Sequence, residues 1–385
     1  MPEVHAKLSA SSAYRWLHCP KSVVLTEGLP DKTSDFAKEG TLAHSIAETT
    51  LKNYKAYGKD DLSVQTCWAD PEKFERNSHF YLGIYDDVQP YVDYVIDTFE
   101  AHGGEAVLEI ERRVDFSEWV PCGFGTADAL IISDGTLEVI DLKFGKGVMV
   151  DATENPQMML YGLGAYDANE YIYDIDKVRM TIVQPRLDHI STYEMSVEDL
   201  LEWAGEVVKP MAQLAYKGEG FQQAGEWCRW CKLKETCRVR ANIMLDMTSL
   251  REKASLTDDE LDYILSHAKE IQNWLSDVER GALERVAGGK PIKGWKLVEG
   301  RSNRKVADEG KLIVAMTQAG WGEDEIFKPK ELQTLTNLEK LVGKKRFAEE
   351  FGDLVYKPEG KATLVPESDK RPELGTAENE FEFEG

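Results

Sequence analysis

The sequence predicts an α/β fold, and two observations carry that expectation. The apolar period is helical up to about residue 99, alternates from about 106, and becomes helical again near 156, so helices and strands are interleaved. Ser133-Asp134-Gly135 lies between two apolar runs, and Asp-Gly in that position is a strong hairpin signal. The chain has 385 residues, 42% hydrophobic and 30% charged. That globular composition excludes wholesale disorder and predicts more than one domain.

The elements follow in order. Ser11–Cys19 reads as a short capped helical segment. Ser34–Leu51 reads as a helix from Phe36, Leu42, Ala43, Ile46 and Ala47, and 83–99 as a second from Val88, Tyr91, Val92, Val95 and Phe99. Residues 106–114 alternate, with Val107, Glu109 and Glu111 on one side and Leu108, Ile110 and Arg112 on the other. Residues 125–132 and 136–143 are the two hairpin strands. Pro156 opens a helix to Tyr166. Strands at 178–183 and 189–193 flank a Pro-Arg-Leu-Asp turn, and 197–215 is helical. A long amphipathic helix spans Thr257 to Val286. Gly294–Val298 is expected as a strand, followed by short helices to Phe351. Residues 357–385 are expected as an extended acidic tail.

Charge and termini narrow the classes. The 69 acids against 46 bases give a net charge of −23, which argues against non-specific coating of nucleic acid. No run approaches about 18 apolar residues, so no transmembrane helix is expected. The start, Met1-Pro2-Glu3-Val4-His5, has no apolar signal core, so a cytoplasmic protein with reduced cysteines is expected.

The hairpin carries the chemistry. Pairing about Asp134-Gly135 brings Asp128, near the start of one strand, to Asp141, near the end of the next. Two carboxylates at one end of a hairpin call for a cation between them, and hard oxygen ligands suit Mg²⁺ or Mn²⁺. Asp141 and Lys143 are two apart, on one face, where a lysine can orient or deprotonate a water. Upstream, Gly40 and His44 are one helical turn apart, and neutral imidazole is a candidate third ligand. Downstream, Gln157 and Tyr161 share a helix face. Each motif alone is common; their order gives them weight.

Those four segments resemble the RecB-type branch of the PD-(D/E)XK nuclease superfamily, which includes the AddB nuclease domain and the CRISPR-adaptation exonucleases. The branch pattern is G-x-x-x-H, G-x-x-D, (D/E)-x-K and Q-x-x-x-Y. Here it reads Gly40/His44, Gly125/Asp128, Asp141/Lys143 and Gln157/Tyr161. The resemblance covers roughly the first 245 residues. It implies a restriction-endonuclease-like core, with a mixed central sheet flanked by helices, that cleaves DNA phosphodiesters. It implies that His44, Asp128 and Asp141 bind the metal with the Leu142 carbonyl, that Lys143 positions the water, and that Gln157 and Tyr161 support the site.

Cys228, Cys231 and Cys237 form a C-x2-C-x5-C run, three thiolates where a metal or cluster needs four. By position alone the fourth is Cys19, Cys67 or Cys122. The iron–sulfur subset of this nuclease branch has one cysteine upstream of the G-x-x-x-H helix, which Cys19 matches. The resemblance therefore implies a structural [4Fe–4S] cluster on Cys19, Cys228, Cys231 and Cys237; Zn²⁺ on the same thiolates is the rival. Trp227 and Trp230 are expected to shield it.

Three basic segments follow the core. Lys290, Lys293, Lys296, Arg301, Arg304 and Lys305, with Trp295, give a local net charge of +5. Arg229, Lys232, Lys234, Arg238 and Arg240 line the cysteine run, and Lys344-Lys345-Arg346 is the third. With a nuclease core upstream they predict a track for single-stranded DNA or duplex ends. The tail from Pro366 carries a net −5 and is a candidate dock for replication proteins. The chain as a whole also resembles uncharacterised proteins of phages and prophages, which implies a role in phage DNA replication or recombination in a bacterial cytoplasm. The expected domains are a nuclease domain (1–245), a mainly helical extension (246–356) and the tail (357–385). The alternative function is a DNA-binding or replication adaptor that cleaves weakly or not at all.

Overall fold

A computed structural model describes residues 6–30, 35–59, 82–246, 257–298, 309–319, 322, 327, 335, 343–351 and 354–355. They belong to two compact units, within 1–288 and 289–385. The first unit takes in the long helix that the sequence reading placed with the C-terminal extension. Cys67, Arg301, Arg304, Lys305 and the acidic tail lie outside the described residues, as does Ser34, the expected start of the second helix.

The first unit is a mixed α/β structure in which helices flank both faces of a five-stranded sheet. Its strands are β1 (Val107–Asp115), β2 (Phe124–Ser133), β3 (Thr136–Leu142), β4 (Lys177–Gln184) and β5 (His189–Ser196), ordered β1-β2-β3-β4-β5. Neighbours run antiparallel except β3 and β4, which are parallel. Parallel neighbours require a crossover, and a helix at Pro156–Asp167 supplies it. The hairpin turn forms where expected, with Gly135 at φ +80°, a conformation that favours glycine.

One face is covered by α1 (Ala13–His18), the crossover helix and the helical stretch 197–217. The buried residues there include Trp16, Leu130, Leu137, Val139, Met158 and Leu200. On the other face, α3 (Asp35–Tyr57) and α4 (Leu82–His102) pack Ile46, Val92, Ile131, Ile140 and Leu142, after the short α2 (Ser22–Thr26). Alternation decides the sides: Leu137 and Val139 belong to the first cluster, Ile140 and Leu142 to the second. Glu138 breaks the apolar run and is buried, with Arg179 at 2.7 Å and His102 at 2.9 Å from its Oε1.

The crossover helix, α5 (Pro156–Asp167), starts as its sequence dictates. Asn155 accepts from the amides of Gln157 and Met158, and Pro156 occupies the first turn. The first helix differs: Ser12 donates to the Ser9 carbonyl at 3.1 Å and makes no cap bond. The helix expected over 197–215 is broken into α6 (Val197–Trp203), a π turn (Ala204–Val208) and α7 (Lys209–Lys217). Pro210 lacks the amide that would continue the α ladder, and the wider turn accommodates it.

After the cysteine run come α8 (Arg238–Asp246) and α9 (Asp258–Ala287). The latter is started by a full capping box between Thr257 and Glu260. Buried Asp277 ties it to the cysteine segment, with Arg240 at 2.7 Å and Lys234 at 3.3 Å. The second unit contains α10 (Glu309–Gln318) and α11 (Lys344–Phe351). Gly294–Val298, expected as a strand, is irregular: it has no ladder partner among the described residues, so its alternation alone does not make a strand.

Helix α5 lies close to the sheet because it presents small residues. A Cβ at Gly164 would stand 2.7 Å from the Asp115 carbonyl oxygen, a backbone atom that cannot move aside alone. Gly164→Ala is expected to destabilise the protein by about 1–3 kcal/mol through overpacking. Chemical denaturation measures this, and an unchanged midpoint rules the close contact out.

Candidate metal centre

The strand registers place three carboxylates in one row. Ala129 pairs with Ile140, which sets Asp128 opposite Asp141. Ile110 pairs with Ala129 and Arg112 with Ala127, which sets Glu111 opposite Asp128 from the other side. Residues opposite each other on antiparallel strands share a face, and like charges there repel. The site therefore spans the three strands β1, β2 and β3, with Asp128 in the middle.

Each carboxylate is treated differently. Asp128 Oδ1 lies 3.2 Å from His44 Nδ1, carried in by α3, and its Oδ2 accepts from the Leu142 amide at 2.7 Å. Asp141 is 2% exposed; Lys143 Nζ stands 2.8 Å from its Oδ2, and Gln157 Nε2 donates to its Oδ1 at 3.1 Å. The Oδ2 atom is buried and accepts no directed hydrogen bond, so only the nearby ammonium compensates it. Glu111 is half-buried and held at φ +50°, a left-handed conformation that costs a non-glycine residue roughly 1–3 kcal/mol.

Lys143, Gln157 and Tyr161 close the opposite side. Lys143 donates to Gln157 Oε1 at 3.1 Å, and Gln157 Nε2 reaches the Tyr161 hydroxyl at 3.3 Å. Gly125 is explained by the same packing, since a Cβ there would stand 2.5 Å from Tyr161 Cε1. Gly40 has open space around the position of a Cβ, so no contact explains that glycine.

The protonation states follow from burial and charge. Burial lowers the His44 pKa, but the hydrogen bond and charge of Asp128 override it and raise it to about 9. Burial and then the Asp128 charge push Glu111 up to about 7. Burial also raises Asp141, against the opposing charge of Lys143. Burial works against the Lys143 ammonium, yet the Asp141 charge wins and raises its pKa. Burial raises Tyr161. Protons thus supply the compensation that a divalent cation would supply, and the donor set of carboxylates and imidazole fits Mg²⁺ or Mn²⁺.

All the motif residues read from the sequence meet here except that Leu142 enters through its amide and Gly40 makes no contact. Glu111 was missed as a site residue. Its signal was present: it lies in the alternating strand, and pairing that strand with β2 puts it beside Asp128. Pairing could not be inferred, because β1 joins β2 through the irregular connection 116–123 and no tight turn fixes its register.

Arg186 braces the site from outside. It follows β4, pairs with Glu39 at 2.8 Å and Asp87 at 3.4 Å, and lies 4.7 Å from the Phe144 ring centre. Those partners belong to α3, which carries His44, to α4, and to the residue after Lys143.

A second candidate site lies apart from the first. Cys19, Cys228, Cys231 and Cys237 line one cavity with Arg15, Trp227 and Lys234. Cys19 ends α1, and its sulfur accepts from the Gln223 amide at 3.4 Å. Exposed Cys122 is elsewhere, with its sulfur 3.9 Å from the Tyr216 hydroxyl. Burial pushes the Cys228 thiol up to about 11 and raises Cys231, so a metal bound there would displace protons. Trp227 lines the cavity and stacks on His18 at 4.2 Å, but Trp230 is 72% exposed and shields nothing. Two of the five bases expected to face solvent turn inward: Lys234 and Arg240 bind Asp277.

Fold and site together define a mixed α/β protein with an acidic centre at one end of its sheet and, apart from it, a four-cysteine cavity. The chain belongs to a family described as "Protein of unknown function (DUF2800)", whose model matches residues 5–372. A solved structure titled "Crystal structure of SSO0001" is similar at 13% identity and a TM-score of 0.23, over 59% of this chain and 96% of that chain. A likeness at that score carries no argument about fold or function. No helix among the described residues is long and apolar enough to cross a membrane.

Removing Arg186 should leave buried Glu39 unpaired. Arg186→Ala is expected to cost about 3–5 kcal/mol, with part recovered in Arg186→Met/Glu39→Gln. Denaturation curves of the single and double variants test this; equal stability of Arg186→Ala and wild type rules the brace out.

Proposed function

We propose that this chain is a metal-dependent DNA nuclease of RecB type on a PD-(D/E)XK core, an exonuclease acting in phage DNA replication or recombination. The observation that carries this reading is the meeting of Asp128, Asp141, Lys143, Gln157 and Tyr161 beside His44. Four short motifs spread from residue 40 to 161 converge at one end of the sheet. Binding DNA alone does not require that trio of two carboxylates and a lysine.

On the family-type assignment His44, Asp128 and Asp141, with the Leu142 carbonyl, hold Mg²⁺ or Mn²⁺. A cation held by those residues would make a bound water more acidic and offset charge on the phosphate. Lys143, kept as an ammonium by Asp141, donates rather than takes a proton: it orients the attacking water and offsets phosphate charge. Gln157 fixes Lys143 and Asp141 relative to each other, and Tyr161 supports Gln157. The attacking water would lose a proton to solvent as its oxygen bonds to phosphorus and the ester P–O bond breaks, and the leaving oxygen would take a proton from solvent.

DNA would approach over bases left free of the ion pairs above. Arg229 lies 5.5 Å from the Trp230 ring centre, and Trp295, 77% exposed, lies between Lys293 and Lys296. An exposed aromatic beside cations suits single strands.

The four cysteines that line one cavity are a donor set for a [4Fe–4S] cluster, which the family resemblance favours, with zinc on the same thiolates as the alternative. Among the described residues no three cysteine sulfurs lie within 4.8 Å of one another. Tetrahedral zinc with Zn–S bonds near 2.3 Å brings its sulfurs to about 3.8 Å. A group held there would close the loop between Cys19 and the C-x2-C-x5-C run, a structural role.

Lys143→Ala should lose most cleavage of end-labelled DNA in Mn²⁺ or Mg²⁺, at least about a hundredfold, while binding persists in chelator. If Lys143→Ala and Asp141→Ala cut like the wild type, the site is wrong. Protein purified without oxygen should be brown, with about four irons per chain, and Cys19→Ser should lose the colour and melt lower. A colourless protein with one zinc removes the cluster.

A further inference from the structure

Resting on the nuclease reading of the acidic centre, we infer that Lys146, in the exposed run Gly145-Lys146-Gly147, binds a phosphate of the DNA strand beside the one that is cut, and that the two glycines let the strand come close. The run is tied at both ends to the level of the acidic centre. Lys143 follows β3, and its amide donates to the Val183 carbonyl at 3.0 Å. Leu142 pairs with Val183 in the parallel ladder, so Lys143 stands beside Gln184, one strand spacing or about 4.8 Å away. Gln184 is 1% exposed, and both ends of its amide serve the loop. Its Nε2 donates to the Val148 carbonyl at 2.9 Å, and its Oε1 accepts from the Val150 amide at 2.7 Å. Ser191 on β5 accepts from the Ala152 amide at 2.9 Å.

Phe144 is buried with Arg186 at 4.7 Å from its ring centre, and Val148 is held by Gln184. Between these anchors Gly145, Lys146 and Gly147 are exposed. Three residues cannot carry the run far: the Lys146 Cα lies within about 11 Å of the Lys143 Cα. Each strand of DNA carries one charge per about 3.4 Å of helix axis. A strand whose scissile phosphate stands at Lys143 therefore brings neighbouring phosphates within reach of a lysine at 146.

Lys146 is available for that contact. It makes no hydrogen bond or ion pair among the described residues, whereas Lys143 is paired with Asp141. Packing and backbone strain do not account for the glycines. Neither has a left-handed φ, and a Cβ at either would meet nothing within 4 Å. What glycine supplies there is a bare backbone on each side of a lysine, which a phosphate can approach closely. A tied base under an open run suits a group that holds one strand in register with Lys143.

The test is equilibrium binding of short end-labelled DNA by the full-length protein in chelator over a range of salt, with steady-state cleavage in Mn²⁺ beside it. Lys146→Ala should bind about three- to tenfold more weakly at low salt and flatten the salt slope by about 0.7–0.9, the share of one phosphate. Its KM should rise by more than its kcat falls, and Lys146→Arg should restore both. Lys209→Ala, at an exposed position of α7 and with the same change of net charge, should bind like the wild type. Gly145→Ala/Gly147→Ala should melt at or above the wild type and still bind DNA more weakly, which separates contact from folding.

The inference is overturned if Lys146→Ala keeps the wild-type affinity, slope and KM, if Lys209→Ala loses as much, or if the glycine double variant binds like the wild type. The nuclease reading fails separately. Wild type that binds DNA through Lys146 yet cuts nothing in Mn²⁺ or Mg²⁺ keeps the phosphate contact and removes the activity. Wild type that cuts DNA while Lys146→Ala shows wild-type binding and KM keeps the activity and removes the contact. A wild type that neither binds nor cuts DNA overturns both.

Discussion

Three carboxylates at one level of three adjacent strands are the constraint on which the rest of the site depends. Two like charges about 5 Å apart repel by roughly 3 kcal/mol at an effective dielectric of about 20. The row Glu111–Asp128–Asp141 contains two such neighbours. Folding into this sheet brings the charges together, so compensation has to arrive from other elements. Helix α3 brings His44, the end of β3 brings the Leu142 amide and Lys143, and α5 brings Gln157. The arrangement is polar throughout, yet it caps a sheet whose two faces are otherwise filled with aliphatic side chains. Apolar residues would pack at that level without repulsion, so the row lowers stability relative to an apolar end of the sheet.

How much of this was legible depends on how each contact is fixed along the chain. Asp128 and Asp141 could be paired from sequence because a tight Asp134-Gly135 turn sets their register, and a one-residue slip would turn the apolar set to the wrong face. Gln157 and Tyr161 could be placed on one helix face from their spacing. Glu111 could be placed on a strand but not beside Asp128, because its register comes from packing. The hairpin and the alternation were local, and local physics reports them; the helix expected to end at Leu51 runs on to Tyr57. The π turn before Pro210 and the irregular Gly294–Val298 segment depend on context that a periodicity does not contain.

Charge was the least legible layer. Five bases near the cysteines looked like one solvent-facing patch, but Lys234 and Arg240 turn inward to Asp277 on α9. A helix thirty residues long is thereby tied to the cysteine segment by a polar node, and two charges counted toward a DNA track are consumed by folding. The net charge of −23 likewise says little about the local field. Part of it is the carboxylate row itself, and Arg229 lies 5.5 Å from the ring centre of exposed Trp230.

The two candidate sites are mechanically linked through α1. Cys19 ends that helix, and Trp16, one turn earlier, is fully buried in the same apolar cluster as Met158, Leu160 and Tyr161 of α5. A group bound to Cys19, Cys228, Cys231 and Cys237 would hold α1 against the helix that carries Gln157 and Tyr161. Closing a chain segment of about two hundred residues removes unfolded-state entropy on the order of 5 kcal/mol in the chain-entropy estimate. The cavity does not need to exchange electrons to matter for the acidic centre. By fixing α1 it fixes α5, and α5 sets where Gln157 holds Lys143, the group whose ammonium balances Asp141. The packed path from Cys19 through Trp16 to α5 is the physical contact by which a group on the thiols would bear on the helix that holds Gln157.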